Sequence, residues 1–233
     1  MTATTPKSAF RTGLLDGVPF LLVLVPFGVL FGVTATEAGL NVLETMMFTI
    51  VVIAGASQFT ALQLMTDNTP TLIVLATALA VNLRMAMYSA SLTPALGGAS
   101  LWQRGLIAYF LVDATYACAV TRFEAEPLWT LRHRVSYFFG TVVTVCPAWY
   151  LLTLAGALIG TAIPDWLALD FAVPICFLAM IGPMLRTPAH LAAALTSVVL
   201  ALALAFVPYS LGLLIAALVA MMVGAAVEQR LAA

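Results

Sequence analysis

Long apolar runs alternate with short polar connections from one end of the chain to the other. A helix needs about 20 predominantly apolar residues to cross the hydrocarbon layer of a membrane. After a polar lead, the pattern predicts spans at about 18–36, 45–65, 71–94, 102–121, 135–160, 171–185, 191–207 and 209–227. We therefore predict an all-α polytopic membrane protein with about eight transmembrane helices.

Proline and glycine fall inside several of these predicted spans. The first span contains Pro19 and Pro26, the fifth contains Pro147, and the sixth contains Pro174 and Pro183. A broken helix is tolerated in a membrane only where neighbouring groups or water satisfy the freed backbone. We expect several spans to be broken in this way.

The basic residues near predicted span ends indicate an orientation. Lys7 and Arg11 precede the first span, and Arg230 follows the last one. Positive residues favour the cytoplasmic side, so with eight spans both termini are expected in the cytoplasm. The whole chain, 1–233, is interpreted as one transmembrane transporter domain. A weak internal repeat relates roughly 13–121 to 135–227, with both halves in the same orientation.

Composition narrows the function classes. The chain is 63% hydrophobic and only 8% charged, with a net charge of −1, which excludes a basic nucleic-acid surface. Cys118, Cys146 and Cys176 all lie in apolar runs far apart, so neither a disulfide framework nor a metal site is expected. We find no phosphate-binding glycine loop and no hydrolase motif, and expect no cofactor and no enzymatic activity.

Arg84 is the most unusual residue of the chain. A charge within a span costs roughly 2.5–3.5 kcal/mol on insertion scales, and such residues usually face a bundle interior or a wet cavity. At helical spacing Tyr88 and Ser91 share its face. Either the helix turns this polar stripe toward a solute path, or it breaks and Arg84 lies at a re-entrant tip. The alternative is a structural Arg84 that snorkels or pairs with an acid.

Asp113 is predicted near the middle of the fourth span, with Tyr109 and Tyr116 on the same helical face. Burial favours the neutral form of such a carboxyl group, whereas a nearby cation favours the ionised form. Asp113 is therefore a candidate proton carrier or a contact for a substrate amine. The alternative is a static ion pair with Arg84.

A third polar group lies in the second span, where Gly55 precedes Ser57, Gln58 and Phe59. Hydroxyl and amide groups at membrane depth either hold helices together, at about 0.6–2 kcal/mol each, or contact a solute. A helix that opens at Gly55 would offer backbone groups to the carboxylate or ammonium of an amino acid.

These residues carry a resemblance to a known family. The segment Gly55-Ala-Ser-Gln-Phe59, the segment Asn82-Leu-Arg84 with the nearby Tyr88, and Asp113 resemble the corresponding motifs of the AzlC-type branched-chain amino acid permeases. These permeases are the large subunits of AzlC/AzlD exporters. The likeness extends over roughly 13–185.

The motifs also depart from the family pattern at two positions. The family often has a histidine after Asn-Leu-Arg, where this chain has Met85, and an acid after the fourth-span aspartate, where it has Ala114. Both changes make the site less ionisable.

The resemblance implies export of valine, leucine and isoleucine across the bacterial inner membrane, with a small AzlD-type membrane subunit as partner. In the leading hypothesis, Arg84 attracts the substrate carboxylate and Asp113 balances it or carries a proton. The expected substrate-binding residues are Gly55, Ser57, Gln58, Phe59, Asn82, Arg84 and Tyr88. The alternatives are a non-transporting membrane scaffold subunit, a transporter of another small apolar solute and, least favoured, an intramembrane enzyme.

Overall fold

A computed structural model describes residues 5–160, 185, 187–207 and 211–232, and all regular secondary structure in these residues is helical. The helices are α1 (Pro6–Gly17), α2 (Leu21–Glu37), α3 (Val42–Val51), α4 (Gly55–Thr66), α5 (Thr71–Leu96), α6 (Leu101–Tyr109), α7 (Asp113–Ala125), α8 (Leu131–Gly160), α9 (Pro188–Ala203) and α10 (Leu211–Ala232). A short 3₁₀ turn, Val18–Phe20, joins α1 to α2.

Within the described residues, three helical segments are long and apolar enough to cross a membrane: Pro6–Glu37, Thr71–Leu96 and Leu131–Gly160. Helices α3 and α9 are shorter apolar helices. The predicted all-helical class is therefore confirmed for the described part of the chain. The count of eight spans and the location of the termini remain predictions, and the predicted sixth span, 171–185, lies almost entirely outside the described residues.

The prolines differ in their effect on the helices. Pro19 lies in the 3₁₀ turn that interrupts the first predicted span, and α5 ends two residues after Pro94, close to the predicted end of its span. By contrast, α8 continues through Pro147 and α2 through Pro26. The predicted interruption of the fifth span at Pro147 is therefore wrong. A proline removes one backbone hydrogen bond, and neighbouring helices can compensate for that loss within a membrane bundle.

The described chain divides into two compact units. The first contains residues 5–62 and 78–160, and the second contains residues 63–77 with the described residues from 185 onward. In the second unit, α9 and α10 form an antiparallel pair, in which Gly212 lies against Leu204 and Gly224 against Ala193. All residues singled out from the sequence as a substrate site belong to the first unit.

The first unit is organised around the close packing of α1 and α2 on α8. A Cβ atom on Gly13 would collide with the Tyr137 carbonyl, and one on Gly156 would collide with the Val29 carbonyl. Small residues at such positions allow membrane helices to approach through van der Waals contact. The contacts advance along both segments in the same direction, from Gly13 beside Tyr137 to Gly160 beside Thr36, so the segments run parallel.

Candidate functional site: an ion pair beside a helix break

Arg84 lies within the continuous helix α5, which excludes the re-entrant tip considered from the sequence. Its Nη1 atom is 3.1 Å from Oδ2 of Asp113, the first residue of α7. One turn beyond Arg84, the Tyr88 hydroxyl donates a 2.9 Å hydrogen bond to Oδ1 of the same carboxylate. Arg84, Tyr88 and Asp113 therefore form one cluster between α5 and α7.

A second tyrosine supports this cluster. The rings of Tyr88 and Tyr116 stack with centroids 4.0 Å apart and planes 10° from parallel. The Tyr116 hydroxyl donates a 3.1 Å hydrogen bond to Oγ of Ser91 on α5, so Tyr116 also links α7 to α5. The sequence places Tyr116 on the same helical face as Asp113, and in the structure its ring packs against that of Tyr88.

The sequence pattern gave no sign of the break that precedes Asp113. The predicted fourth span divides into α6 and α7, with Phe110–Val112 between them. The buried hydroxyl of Thr115 accepts a 2.9 Å hydrogen bond from the Val112 amide and lies 2.9 Å from the Phe110 carbonyl, to which it donates. Thr115 therefore fixes the break, and the break places Asp113 at a helix N-terminus, where the helix dipole favours a negative charge.

Tyr109 does not share a helical face with Asp113, because it ends α6 on the other side of the break. Its hydroxyl donates to the carbonyl of Ile50 at 2.5 Å and lies 3.0 Å from the Tyr150 hydroxyl. A tyrosine hydroxyl has one proton, so Tyr150 donates in the second contact. The prediction of a common face for Tyr109 and Asp113 is therefore wrong, since it assumed an unbroken helix.

A second break lies in the predicted second span, between α3 and α4. Helix α3 ends at Val51 and α4 begins at Gly55, so the chain is non-helical just before the glycine at which a helix opening was considered from the sequence. The carbonyl of Ile50, in the last turn of α3, is the acceptor for Tyr109. One tyrosine at the end of α6 thus bridges to the other broken helix.

Polar atoms on α4 and α5 meet near this second break. Nδ2 of Asn82 donates to Oγ of Ser57 at 3.1 Å. Gln58 is 0% exposed, and within the described residues neither atom of its side-chain amide has a hydrogen-bond partner. The buried atoms Oδ1 of Asn82 and Nε of Arg84 also lack partners there. A buried amide left unsatisfied costs about 1–3 kcal/mol, so Gln58 calls for an explanation beyond packing.

Gly55 and Phe59 occupy an aromatic core beside this polar group. The Phe59 ring lies 5.0 Å from Phe27 and 5.4 Å from Phe31, in edge-to-face arrangements. A Cβ on Gly55 would lie 2.9 Å from the Phe27 ring and 3.1 Å from Trp149. These two predicted site residues therefore pack against α2 and α8 and are not part of the Arg84 cluster.

The structure thus gathers the predicted residues into three neighbouring groups within one unit. Arg84, Tyr88 and Asp113 form the ion-pair cluster, Ser57 and Asn82 are hydrogen-bonded, and Gly55, Gln58 and Phe59 are predominantly enclosed. Thr115 and Tyr116 were missed as members of the site. Only the capping preference of threonine near a helix start could have indicated Thr115.

Comparison with known proteins finds one matching family and relatives that are membrane proteins. A family model described as AzlC protein matches residues 19–163. The inner membrane protein YgaZ of Escherichia coli is 25% identical over 78% of this chain and 77% of its own length. An uncharacterized membrane protein of Archaeoglobus fulgidus is 28% identical over 87% of this chain and 88% of its own length. No solved structure matches the chain significantly.

Proposed function

Because the chain belongs to the AzlC family, we propose that it is a secondary transporter that exports branched-chain amino acids. The proposed location is the inner membrane, which the chain crosses several times, and the proposed partner is a small AzlD-type membrane subunit. The observation that carries the proposal is the Arg84–Asp113 ion pair, placed at the start of α7 directly after a helix break. Broken helices with charged groups at their ends are typical of solute sites in secondary transporters.

The ion pair provides a means of recognising a zwitterion. The carboxylate of the amino acid exchanges with Asp113 as the partner of Arg84. Asp113, released from Arg84, then contacts the ammonium group or takes up a proton. Asp113 is 51% exposed and Arg84 25% exposed within the described residues, so neither group is sealed in the core.

The unpartnered polar atoms support the same class of substrate. Gln58 offers both an amide donor and an amide acceptor, Asn82 offers an acceptor, and Nε of Arg84 offers a donor. An amino acid carries acceptors on its carboxylate and donors on its ammonium, so it can satisfy groups of both kinds. A purely apolar solute would leave all of them unsatisfied.

The apolar side chain of the substrate requires an apolar surface near the same breaks. Phe59 and the neighbouring aromatic rings provide such a surface, but Phe59 is only 5% exposed. In the proposed cycle, the aromatic core therefore opens toward the broken helices when the side chain enters. Met85 and Met87 on α5 offer a flexible alternative contact.

The direct test is counterflow of labelled valine, leucine and isoleucine in proteoliposomes that contain the purified protein. The assay is run with and without the small AzlD-type subunit. We expect accumulation of label against a preloaded unlabelled amino acid. Absence of counterflow in both preparations, with the protein folded, would contradict the proposed activity.

One observation favours a second candidate, a non-transporting scaffold subunit. Both carboxylate oxygens of Asp113 are already engaged, by Arg84 and by Tyr88, as expected for a static link between α5 and α7. A scaffold would hold its partner in the membrane but show no counterflow in either preparation. Co-purification of the partner without transport is the result that would select this alternative.

A further inference from the structure

A second charged cluster lies in the first unit, at the other end of α7. Asp16, in the last turn of α1, accepts hydrogen bonds from Nε of Arg122 at 3.1 Å and from Nη2 of Arg122 at 2.8 Å. The hydroxyl of Tyr137 on α8 donates to the same carboxylate at 2.7 Å. The cluster therefore joins α1 to α7 and α8, which lie more than 90 positions later in the chain.

The three side chains of this cluster are partly or fully enclosed by the protein. The side chains of Arg122 and Asp16 are 29% and 28% exposed, and Tyr137 is buried. An enclosed ion pair adds little net stability compared with apolar residues of similar volume, because both charges lose water. The best-attested use of such pairs is to define a register or a switch between two arrangements.

Helix α7 connects this cluster to the proposed site. Its 13 residues span about 20 Å at 1.5 Å per residue. Near its start, Asp113 pairs with Arg84 on α5, and near its end, Arg122 pairs with Asp16 on α1. Because both residues lie on this one helix, a displacement of α7 at Asp113 would also displace Arg122.

Irregular backbone lies next to each pair. The break Phe110–Val112 directly precedes Asp113, and the 3₁₀ turn Val18–Phe20 lies two residues after Asp16. Residues at the ends of helices can absorb the backbone changes of a hinge. Both ion pairs are therefore placed where a small movement of one helix against another can occur.

We propose that Asp16, Arg122 and Tyr137 form a gate, closed in this structure, that opens when α7 moves during transport. This inference rests on the proposed transport function. A transporter that exposes its site to each side in turn must break the contacts that seal one side. The Asp16–Arg122 pair is such a contact, and the exchange of Asp113 between Arg84 and the substrate is the event that moves α7.

The chain contains its own reporter of gate opening. Cys118 lies one turn before Arg122 on α7, is 6% exposed and has a free thiol. Its Sγ atom is 3.5 Å from the backbone carbonyl oxygen of Asp16. When α7 separates from α1, this thiol becomes accessible to an alkylating reagent.

The first arm of the test measures maleimide labelling of Cys118 in protein that also carries Cys146→Ala and Cys176→Ala. We expect Asp16→Asn and Arg122→Gln to raise the labelling rate about tenfold, a size typical of coupled sites. The exchange of charges, Asp16→Arg with Arg122→Asp, should restore slow labelling. Gel filtration of each variant establishes that it is folded.

The matched control is Thr144→Val, which removes the 2.9 Å hydrogen bond from Thr144 to the Leu14 carbonyl between α8 and α1 without touching the gate. Cys118 in this variant should be labelled at the same rate as in the protein with the native Asp16–Arg122 pair. Equal acceleration by Thr144→Val, or unchanged labelling in folded Asp16→Asn, would overturn the gate.

The second arm measures the labelling of Cys118 with the native pair, in proteoliposomes with and without leucine, beside leucine counterflow in the same vesicles. If counterflow occurs, leucine should change the labelling rate, and an unchanged rate overturns the gate. If counterflow is absent, the proposed function fails, and labelling in the first arm alone decides whether the pair seals α7 against α1.

Discussion

The guanidinium of Arg84 and the carboxylate of Asp113 lie 3.1 Å apart, on a continuous helix and at the first residue of a broken one. A second bond to the carboxylate comes from Tyr88. The pair is therefore positioned by three separate features, namely the regular turn from Arg84 to Tyr88, the break before Asp113, and the stacking of Tyr116 on Tyr88.

Replacing Arg84 tests whether the cation contacts the solute. Arg84→Ala should lower amino acid counterflow at least about tenfold, equivalent to about 1.4 kcal/mol, because the carboxylate loses its cationic partner. The protein should remain folded in the membrane. Arg104→Ala, which removes an exposed arginine from α6, is the matched control and should transport normally. Normal transport by Arg84→Ala would remove this residue from the site.

The effect of Asp113→Asn on stability should be much smaller than its effect on transport. Because Asp113 is 51% exposed, solvent screening limits the contribution of the pair to folding to about 1 kcal/mol or less. Transport should nevertheless fall about tenfold or more, since Asp113 exchanges with the substrate carboxylate. Thermal unfolding and counterflow of the same preparation give both values. A large loss of stability with unchanged specific transport would indicate a static pair.

Gln58→Leu should lower transport without lowering the stability of the protein. Removing an unsatisfied buried amide should leave the free energy of unfolding unchanged or raise it by about 1–3 kcal/mol. Counterflow should fall, because the substrate loses a donor and an acceptor. The control is Gln63→Leu on the same helix, where the exposed amide donates to Asp67. Equal transport by Gln58→Leu and Gln63→Leu would show that Gln58 has no contact with the solute.

Thr115 should act by holding the break in front of Asp113. Thr115→Val keeps the shape of the side chain but removes its hydrogen bonds to Val112 and Phe110. We expect a loss of stability of about 1–3 kcal/mol and a higher KM for the amino acid. Thr115→Ser retains the hydroxyl and should restore both values. If Thr115→Val and Thr115→Ser lower the stability and raise the KM equally, the effect comes from packing and not from the hydroxyl.

The parallel contact between α2 and α8 can be tested with alanine. Gly156→Ala would place a Cβ atom against the Val29 carbonyl, and overpacking of this kind costs about 1–3 kcal/mol. At Gly105, by contrast, a Cβ would meet nothing within 4 Å. Gly105→Ala should be neutral or stabilising by up to about 1 kcal/mol. Equal melting temperatures for the two variants would contradict the close approach of the helices.

The sequence indicated some of this arrangement because the signals are local. A charged residue in an apolar helix is rare and costly, which singled out Arg84 and Asp113. Gly55 was singled out as a place where a helix could open, and α4 begins at this residue. These features depend on residue type and on near neighbours, so they can be recognised without the tertiary structure.

Other features depend on contacts between distant segments and could not be predicted. The break at Phe110–Val112 contains neither glycine nor proline, and it is stabilised by a single hydroxyl from Thr115. The pairing of Asp16 with Arg122 joins helices more than 100 positions apart. Conversely, Pro147 predicted a break that does not form, because proline propensity is overridden when a helix is packed against its neighbours.

Recognition of both charges of a small zwitterion is the property that we propose for the Arg84–Asp113 pair. It is tested most directly by competition against labelled leucine counterflow with leucine, leucinamide and 4-methylpentanoate. Leucinamide lacks the carboxylate, and 4-methylpentanoate lacks the ammonium group. We expect leucine to compete at a concentration at least about tenfold below either analogue. Equal competition by 4-methylpentanoate or leucinamide would contradict it.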